Sequence, residues 1–110
     1  MPTHTLGEFE LLVMLAALRL GPDEAYTVAI AQDIEERTGR AVRQANVYTT
    51  IRRLADKGLL STKLGDPRPE RGGKPRRLVE LTAEGRTALR TTTSAIEAMV
   101  GDLSKVIAEA

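Results

Sequence analysis

Between Glu8 and Leu20 the apolar residues fall into two stripes at helical spacing. Phe9, Leu12, Val13, Ala16 and Leu20 form one, and Leu11, Leu15 and Leu18 form the other. The pattern predicts a first helix ended by Gly21-Pro22. A helix apolar on two sides needs two partners. One is its own core; the other is a second copy of the chain or, in the alternative, more of the same domain. A second helix fits Thr27 to Arg37, opened by Tyr26 or Thr27 and closed by Thr38-Gly39. Ile30 and Ile34 face inward there, with Tyr26 and Ala31 beside them. A third runs from Gln44 to Lys57 and stops at Gly58. At about 100° per residue Val47, Ile51, Leu54 and Ala55 share a narrow arc that must be buried. Ala45, Asn46, Thr49, Arg52 and Arg53 take the opposite side, and Tyr48 sits at the edge of the buried arc.

Beyond Gly58 the period changes. Ser61 to Leu64 and Arg77 to Leu81 read as two short strands, with Leu64, Leu78 and Val79 as apolar members. The Pro- and Gly-rich stretch from Gly65 to Pro75 is a loop between them. Leu81 staples and Thr82 caps a last helix. Its residues Leu89, Thr93, Ile96, Val100, Leu103 and Ile107 alternate steps of four and three, a heptad seam widened by Met99 and Val106. Gly101-Asp102 bends or interrupts it. Three helices followed by a hairpin describe a winged helix-turn-helix, a mostly α (α+β) fold with a two-stranded β-wing. Residues 1–81 are expected to form that domain and 82–110 a C-terminal dimerisation helix, its seam packed on a partner helix or, in the alternative, folded back on its own domain.

Composition narrows the chemistry. The chain has 110 residues, 42% hydrophobic and 28% charged, an ordinary balance for one modest domain. Aromatic residues are 3% of the chain, Phe9, Tyr26 and Tyr48, too few for a base-stacking platform or an aromatic cavity. The absence of cysteine excludes disulfides, thiolate metal sites and a cysteine nucleophile. The single histidine, His4, sits near an end expected to fray, and Ser61, Ser94 and Ser104 have no histidine to activate them. Gly72-Gly73 lies in a hairpin, not between a strand and a helix, and so is no phosphate-binding loop. No enzyme, metal site or cofactor is expected. The longest apolar run, Leu11 to Leu18, is too short to span a bilayer, and no signal peptide is visible; a cytoplasmic protein without a membrane partner is expected.

The formal net charge of +1 conceals a segregation. From Arg37 to Arg77 there are 12 basic residues and three acidic ones, Asp56, Asp66 and Glu70. The remainder carries 4 basic and 12 acidic residues. A basic middle that coincides with the third helix and the hairpin is what a polyanion-binding face requires, because Lys and Arg at phosphates release condensed counterions.

The chain resembles the PadR family of bacterial transcriptional regulators, in its short form with a single C-terminal dimerisation helix. The resemblance is carried by Leu6 to Leu15, by Asn46-Val47-Tyr48 through Ile51-Arg52-Arg53-Leu54 to Lys57-Gly58-Leu59-Leu60, by Gly73 to Arg77, and by Leu81-Thr82-Ala83-Glu84-Gly85. It implies homodimers joined through the first and last helices at Phe9, Leu11, Leu15, Leu18, Leu89, Ile96, Met99, Val100, Leu103 and Ile107. It also implies double-stranded DNA read by the third helix and the wing. Arg43, Gln44, Ala45 and Asn46 correspond to the base-reading start of that helix. Tyr48 matches the family's tyrosine, and Lys74, Arg76 and Arg77 match its basic wing. Three positions depart from the family: Arg43-Gln44 where it usually has Ser and Pro, Thr49 where proline often follows the tyrosine, and Leu78-Val79 where it often has tyrosines. The chain also lacks the tryptophan with which multidrug-binding relatives sandwich planar ligands.

The leading expectation is therefore a dimeric repressor of an inverted-repeat operator. Arg43, Gln44 and Asn46 would reach base edges, Thr49, Arg52 and Arg53 bases or backbone, and Arg71, Lys74, Arg76 and Arg77 phosphates or a flanking minor groove. Repression relieved by a small apolar effector would need a cavity near Met14, Leu15, Ile96 and Met99, residues that serve equally well as plain dimer core. The competing function is a winged-helix module that binds a protein, against which the dense central charge argues.

Overall fold

The computed structural model describes residues 5–67 and 75–110. Its elements are α1 (Glu8–Leu20), α2 (Thr27–Thr38), α3 (Gln44–Asp56), β1 (Leu60–Pro67), β2 (Pro75–Leu81), α4 (Ala83–Val100) and α5 (Ser104–Glu109). The two strands pair antiparallel, Leu60 opposite Leu81 and Leu64 opposite Arg77, with an irregularity before Pro67 meets Pro75. Three helices and a two-stranded wing make the winged helix-turn-helix that the chain pattern predicts.

α1 is the hub, touching α2, α3, β2 and α4. That centrality corrects the predicted stripes. The side turned fully inward is Glu10, Leu11, Val13, Met14, Ala16 and Ala17, while Phe9, Leu12, Leu15 and Leu20 are half-buried and Leu18 is exposed. Small Ala16 and Ala17 are buried because neighbouring elements approach closely, a demand invisible in a hydrophobicity pattern. Leu11, expected on the partner-facing side, belongs to the protomer's own core. So does Leu89 of α4, expected in the seam.

Glu10 is the one acidic residue buried there. Its Oε1 accepts the Gly7 N–H at 2.9 Å, closing the first turn of α1, and its Oε2 accepts from Lys57 Nζ at 2.9 Å. One carboxylate thus ties the start of α1 to the residue after α3. Burial acts to raise its pKa, but the bonds from Lys57 and Gly7 and the charges of Lys57 and Arg53 outweigh it. The carboxyl is held below the usual glutamate value.

α2 begins beyond extended Tyr26 and ends at Gly39, whose left-handed φ of 73° lets its N–H reach the Glu35 carbonyl at 2.9 Å. Ile30, Ala31 and Ile34 are its buried side, as the spacing predicts. In α3 the buried residues are Val47, Thr50, Ile51 and Leu54; Thr50 takes the place expected of Ala55, which is half-buried. Both strands run further than predicted, because pairing continues into the Pro/Gly segment. The connection between α1 and α2 touches the sheet too, through a Val79 N–H to Ala25 carbonyl bond of 2.8 Å.

Thr82 seats α4. Its Oγ1 accepts the Gly85 N–H at 3.0 Å and donates to the Gly58 carbonyl at 2.7 Å, while its own N–H reaches the Leu59 carbonyl at 3.1 Å. Gly85 lies directly against Leu59, where any Cβ would stand 2.0 Å from the carbonyl oxygen. The predicted interruption is real: Gly101, at φ 49°, separates α4 from α5. Beyond Leu89 the seam leaves the domain. Ile96, Met99, Leu103, Val106 and Ile107 are exposed and Val100 is half-buried.

Candidate nucleic-acid interface

The turn from Gly39 to Arg43 between α2 and α3 presents the start of α3 to solvent. Arg43, Gln44, Ala45, Asn46, Tyr48, Thr49, Arg52 and Arg53 are all exposed, while Val47, Ile51 and Leu54 fasten the opposite side to α1 and α2. This is the face expected from the 3.6-residue period, and Tyr48 resolves outward with 47% of its surface exposed.

Two clefts flank that face. The first, of about 480 Å³, is lined by Phe9, Arg40, Ala41, Val42, Arg43, Asn46, Thr49, Thr50 and Arg53. The second, of about 300 Å³, lies between α3 and the wing and is lined by Tyr48, Ile51, Arg52, Ala55, Asp56, Thr62 and Arg77. The structure thus brings Arg77 of the wing to the same cleft as Tyr48 and Arg52 of α3. Arg77 is steadied by a 3.4 Å bond from Nη1 to Thr62 Oγ1. Arg40, which the sequence reading did not single out, joins the first cleft and pairs with Glu8 at 2.9 Å. Only its place in the basic segment marked it beforehand.

Charge pairing sorts the arginines. Arg19 and Arg37 are held by Asp33, and Lys57 by Glu10. Among the described residues no carboxylate pairs with Arg43, Arg52, Arg53 or Arg77. Exposed guanidinium groups that pair with no described carboxylate create a positive field along α3 and onto Arg77, and offer bidentate donors to phosphates or guanine edges.

Arg76 requires a correction. Expected on a phosphate or in a flanking minor groove, it is instead buried, with its guanidinium 4.7 Å from the centre of the Tyr26 ring and Nη1 3.7 Å from Glu24 Oε2. A charged head packed on an aromatic face and beside a carboxylate has its partners already. Arg71 and Lys74, expected at the wing tip, lie outside the described residues.

The described residues hold no group of three His, Cys, Asp or Glu side chains placed to bind a metal ion, and no helix long and apolar enough to cross a membrane. A shallow depression of about 310 Å³ lies against α1 and α4, lined by Leu15, Leu18, Arg86, Leu89, Arg90 and Thr93. Met14, expected beside it, is wholly enclosed in the core.

Comparison with known proteins bears on this geometry. The model of the transcriptional regulator PadR-like family matches residues 14–91. No curated protein matches the chain. Among solved structures, a PadR family transcriptional regulator from Eggerthella lenta DSM 2243 aligns with a TM-score of 0.67 at 26% identity, covering 91% of this chain and 86% of that one. A PadR family transcription regulator from Clostridium difficile R20291 aligns at 0.72 and 19% identity, covering 92% of this chain and 99% of the other. BpsR of Bordetella bronchiseptica, whose DNA binding is regulated by 6-hydroxynicotinic acid, aligns at 0.67 and 24% identity over 93% of this chain and 67% of its own. The last two share the fold.

Proposed function

Since the chain belongs to the PadR-like family of transcriptional regulators, and so is a DNA-binding regulator and not an enzyme, we propose that it is a dimeric repressor in the cytoplasm that binds an inverted-repeat operator. The observation that carries this is the exposed face of α3, whose Arg43, Arg52 and Arg53 pair with no carboxylate among the described residues. A helix with Gln44 and Asn46 at its start and arginines further along fits a major groove. The amides match adenine and the guanidiniums match guanine or phosphate, each good base pair contact being worth about 1–3 kcal/mol of discrimination. Arg77 extends the contact onto the wing, as Arg71 and Lys74 do in this reading.

Dimerisation is supported by the apolar row Ile96, Met99, Leu103 and Ile107, left exposed among the described residues, with Leu15 and Leu18 on the adjoining side of α1 and Val100 half-buried beside it. Phe9, expected at the same surface, lines the cleft beside α3 instead. Two-fold symmetry then places one α3 per half-site, about one helical turn apart. Relief by a small effector is supported by the depression lined by Leu15, Leu18 and Leu89 together with Arg86 and Arg90, and by the small-molecule regulation of BpsR in the same fold.

Fluorescence anisotropy with labelled DNA from upstream of the chain's own gene, across a salt series and with scrambled duplex as competitor, tests the proposal. Binding that survives the competitor, and weakens with salt by a logarithmic slope of about 0.9 per phosphate contacted, is expected. Equal loss to scrambled DNA would refute sequence specificity at that site. No binding even at low salt would turn the assignment to a protein-interaction module.

A further inference from the structure

Arg76 and Arg77 are consecutive in β2, so the pleat sends their side chains to opposite faces. Arg77 is exposed and shares a cleft with Tyr48 and Arg52 of α3. Arg76 is 9% exposed and reaches the connection between α1 and α2. Three successive residues of that connection grip the strand. The Ala25 carbonyl accepts the Val79 N–H at 2.8 Å, the Glu24 carboxylate stands 3.7 Å from Arg76 Nη1, and the Tyr26 ring lies 4.7 Å beneath the guanidinium.

A two-stranded hairpin is marginal alone and needs packing to hold its direction. Leu60, Val79 and Leu81 supply that packing at its base, in the core. Arg76 lies further out, near the Pro67–Pro75 end of the paired region. Only a guanidinium offers a flat face to the ring and a donor edge to the carboxylate together. To reach a phosphate it would have to abandon both.

We propose that Arg76 is the positioning residue of the wing: clamped between Tyr26 and Glu24, it fixes the angle of the hairpin against α2 and so places Arg77 on the duplex. This rests on the DNA-binding function above. A wing phosphate ligand and a wing clamp differ in one measurable respect. Removing the clamp's aromatic half changes no charge, yet it must alter the electrostatics of binding.

The test is the affinity for a fluorescein-labelled mixed-sequence duplex of about 30 base pairs, measured by anisotropy from about 50 to about 300 mM salt. The proteins are the full chain and its variants Tyr26→Leu, Arg77→Gln, Tyr26→Leu/Arg77→Gln, Arg76→Gln and Arg76→Gln/Arg77→Gln. Arg77→Gln should reduce the salt slope by about 0.9, the loss of one phosphate contact. Tyr26→Leu should reduce it by at least as much although no charge has gone, and adding Arg77→Gln should then change nothing. Should Tyr26→Leu fail to fold, the Arg76 pair carries the same comparison, the double variant matching Arg76→Gln alone. A wild-type slope in Tyr26→Leu overturns the proposal, as do additive losses in the Arg76 pair, which would make Arg76 a phosphate ligand. Lower thermal stability with an unaltered slope overturns it too, leaving a role in folding alone. If the wild-type chain does not bind the duplex, DNA binding itself falls and takes the clamp's role with it; that result is seen before any substitution is compared.

Discussion

Gly85→Ala sets two effects of opposite sign against each other. Alanine is the better helix former by about 1 kcal/mol, so on an exposed helix the change would stabilise. Here the new Cβ would stand 2.0 Å from the Leu59 carbonyl oxygen, 3.0 Å from its carbon and 3.3 Å from the terminal methyl of Met14. Carbon and oxygen tolerate about 3.3 Å, so α4 would have to withdraw by roughly 1.3 Å. Leu59 cannot yield in its place, being fully buried with its carbonyl held by the Thr82 N–H at 3.1 Å. Overpacking of this kind costs about 1–3 kcal/mol and occasionally more, and withdrawal also strains the Thr82 bonds, worth about 1 kcal/mol each. The clash wins, and a net destabilisation of about 2–3 kcal/mol is expected. In a domain of this size that lowers the melting temperature by roughly 10–20 °C. Urea unfolding at constant temperature, followed by circular dichroism, measures it. A variant as stable as the wild type, or more so, would mean that α4 does not sit so closely on Leu59 and would refute the reasoning.

Further outcomes follow from other contacts. Glu10→Gln leaves the Lys57 ammonium unpaired and should cost about 1–3 kcal/mol at neutral pH. Because the folded-state pKa of Glu10 is lowered, its contribution is complete above the unfolded value and disappears as pH falls through the folded one. The urea midpoints of wild type and variant should therefore converge in acid, below the ordinary glutamate range; a constant gap would contradict the pairing. Met99→Glu alters a side chain 80% exposed in the protomer, so it should leave the fold intact while sedimentation shifts from dimer to monomer. A monomeric wild type would refute the seam. Gly101→Ala denies residue 101 its φ of 49°, and the far-UV helical signal should rise as α4 and α5 join. Unchanged helicity would show that the break does not depend on glycine.

Periodicity serves well where one face of an element is buried and the other is wet. α2 and α3 are such elements, and Ile30, Ile34, Val47, Ile51 and Leu54 are read correctly from spacing alone. α1 is surrounded, so its hydrophobic residues do not distinguish a core side, and the division into two stripes placed Leu11 outward. The basic face of α3 follows from the arc opposite Val47 and Leu54, without knowledge of any neighbour. Arg76 could not be separated from Arg77 in that way. Both are arginines in a basic hairpin, and the difference arises from the pleat and from Tyr26, some fifty positions earlier. Likewise Gly85 reads as part of a helix start, while the close approach to Leu59 that forbids a side chain there exists only in three dimensions.

The narrow seat of α4 on Leu59 has a geometric consequence. From Ala83 to Val100 the helix has 18 residues, a rod of about 27 Å anchored at one end. Rotating the rod by about 10° at its seat swings the far end by roughly 5 Å. In a two-fold assembly joined at those far ends, two such joints lie in series between one recognition helix and the other. The distance between half-sites is then a property of the joint, set by Gly58, Leu59, Thr82 and Gly85. In the proposed mode of binding the choice of bases would be a property of α3. Substitutions at the joint would then retune operator spacing while leaving every base-reading side chain as it was, so the two halves of an operator code would diverge separately.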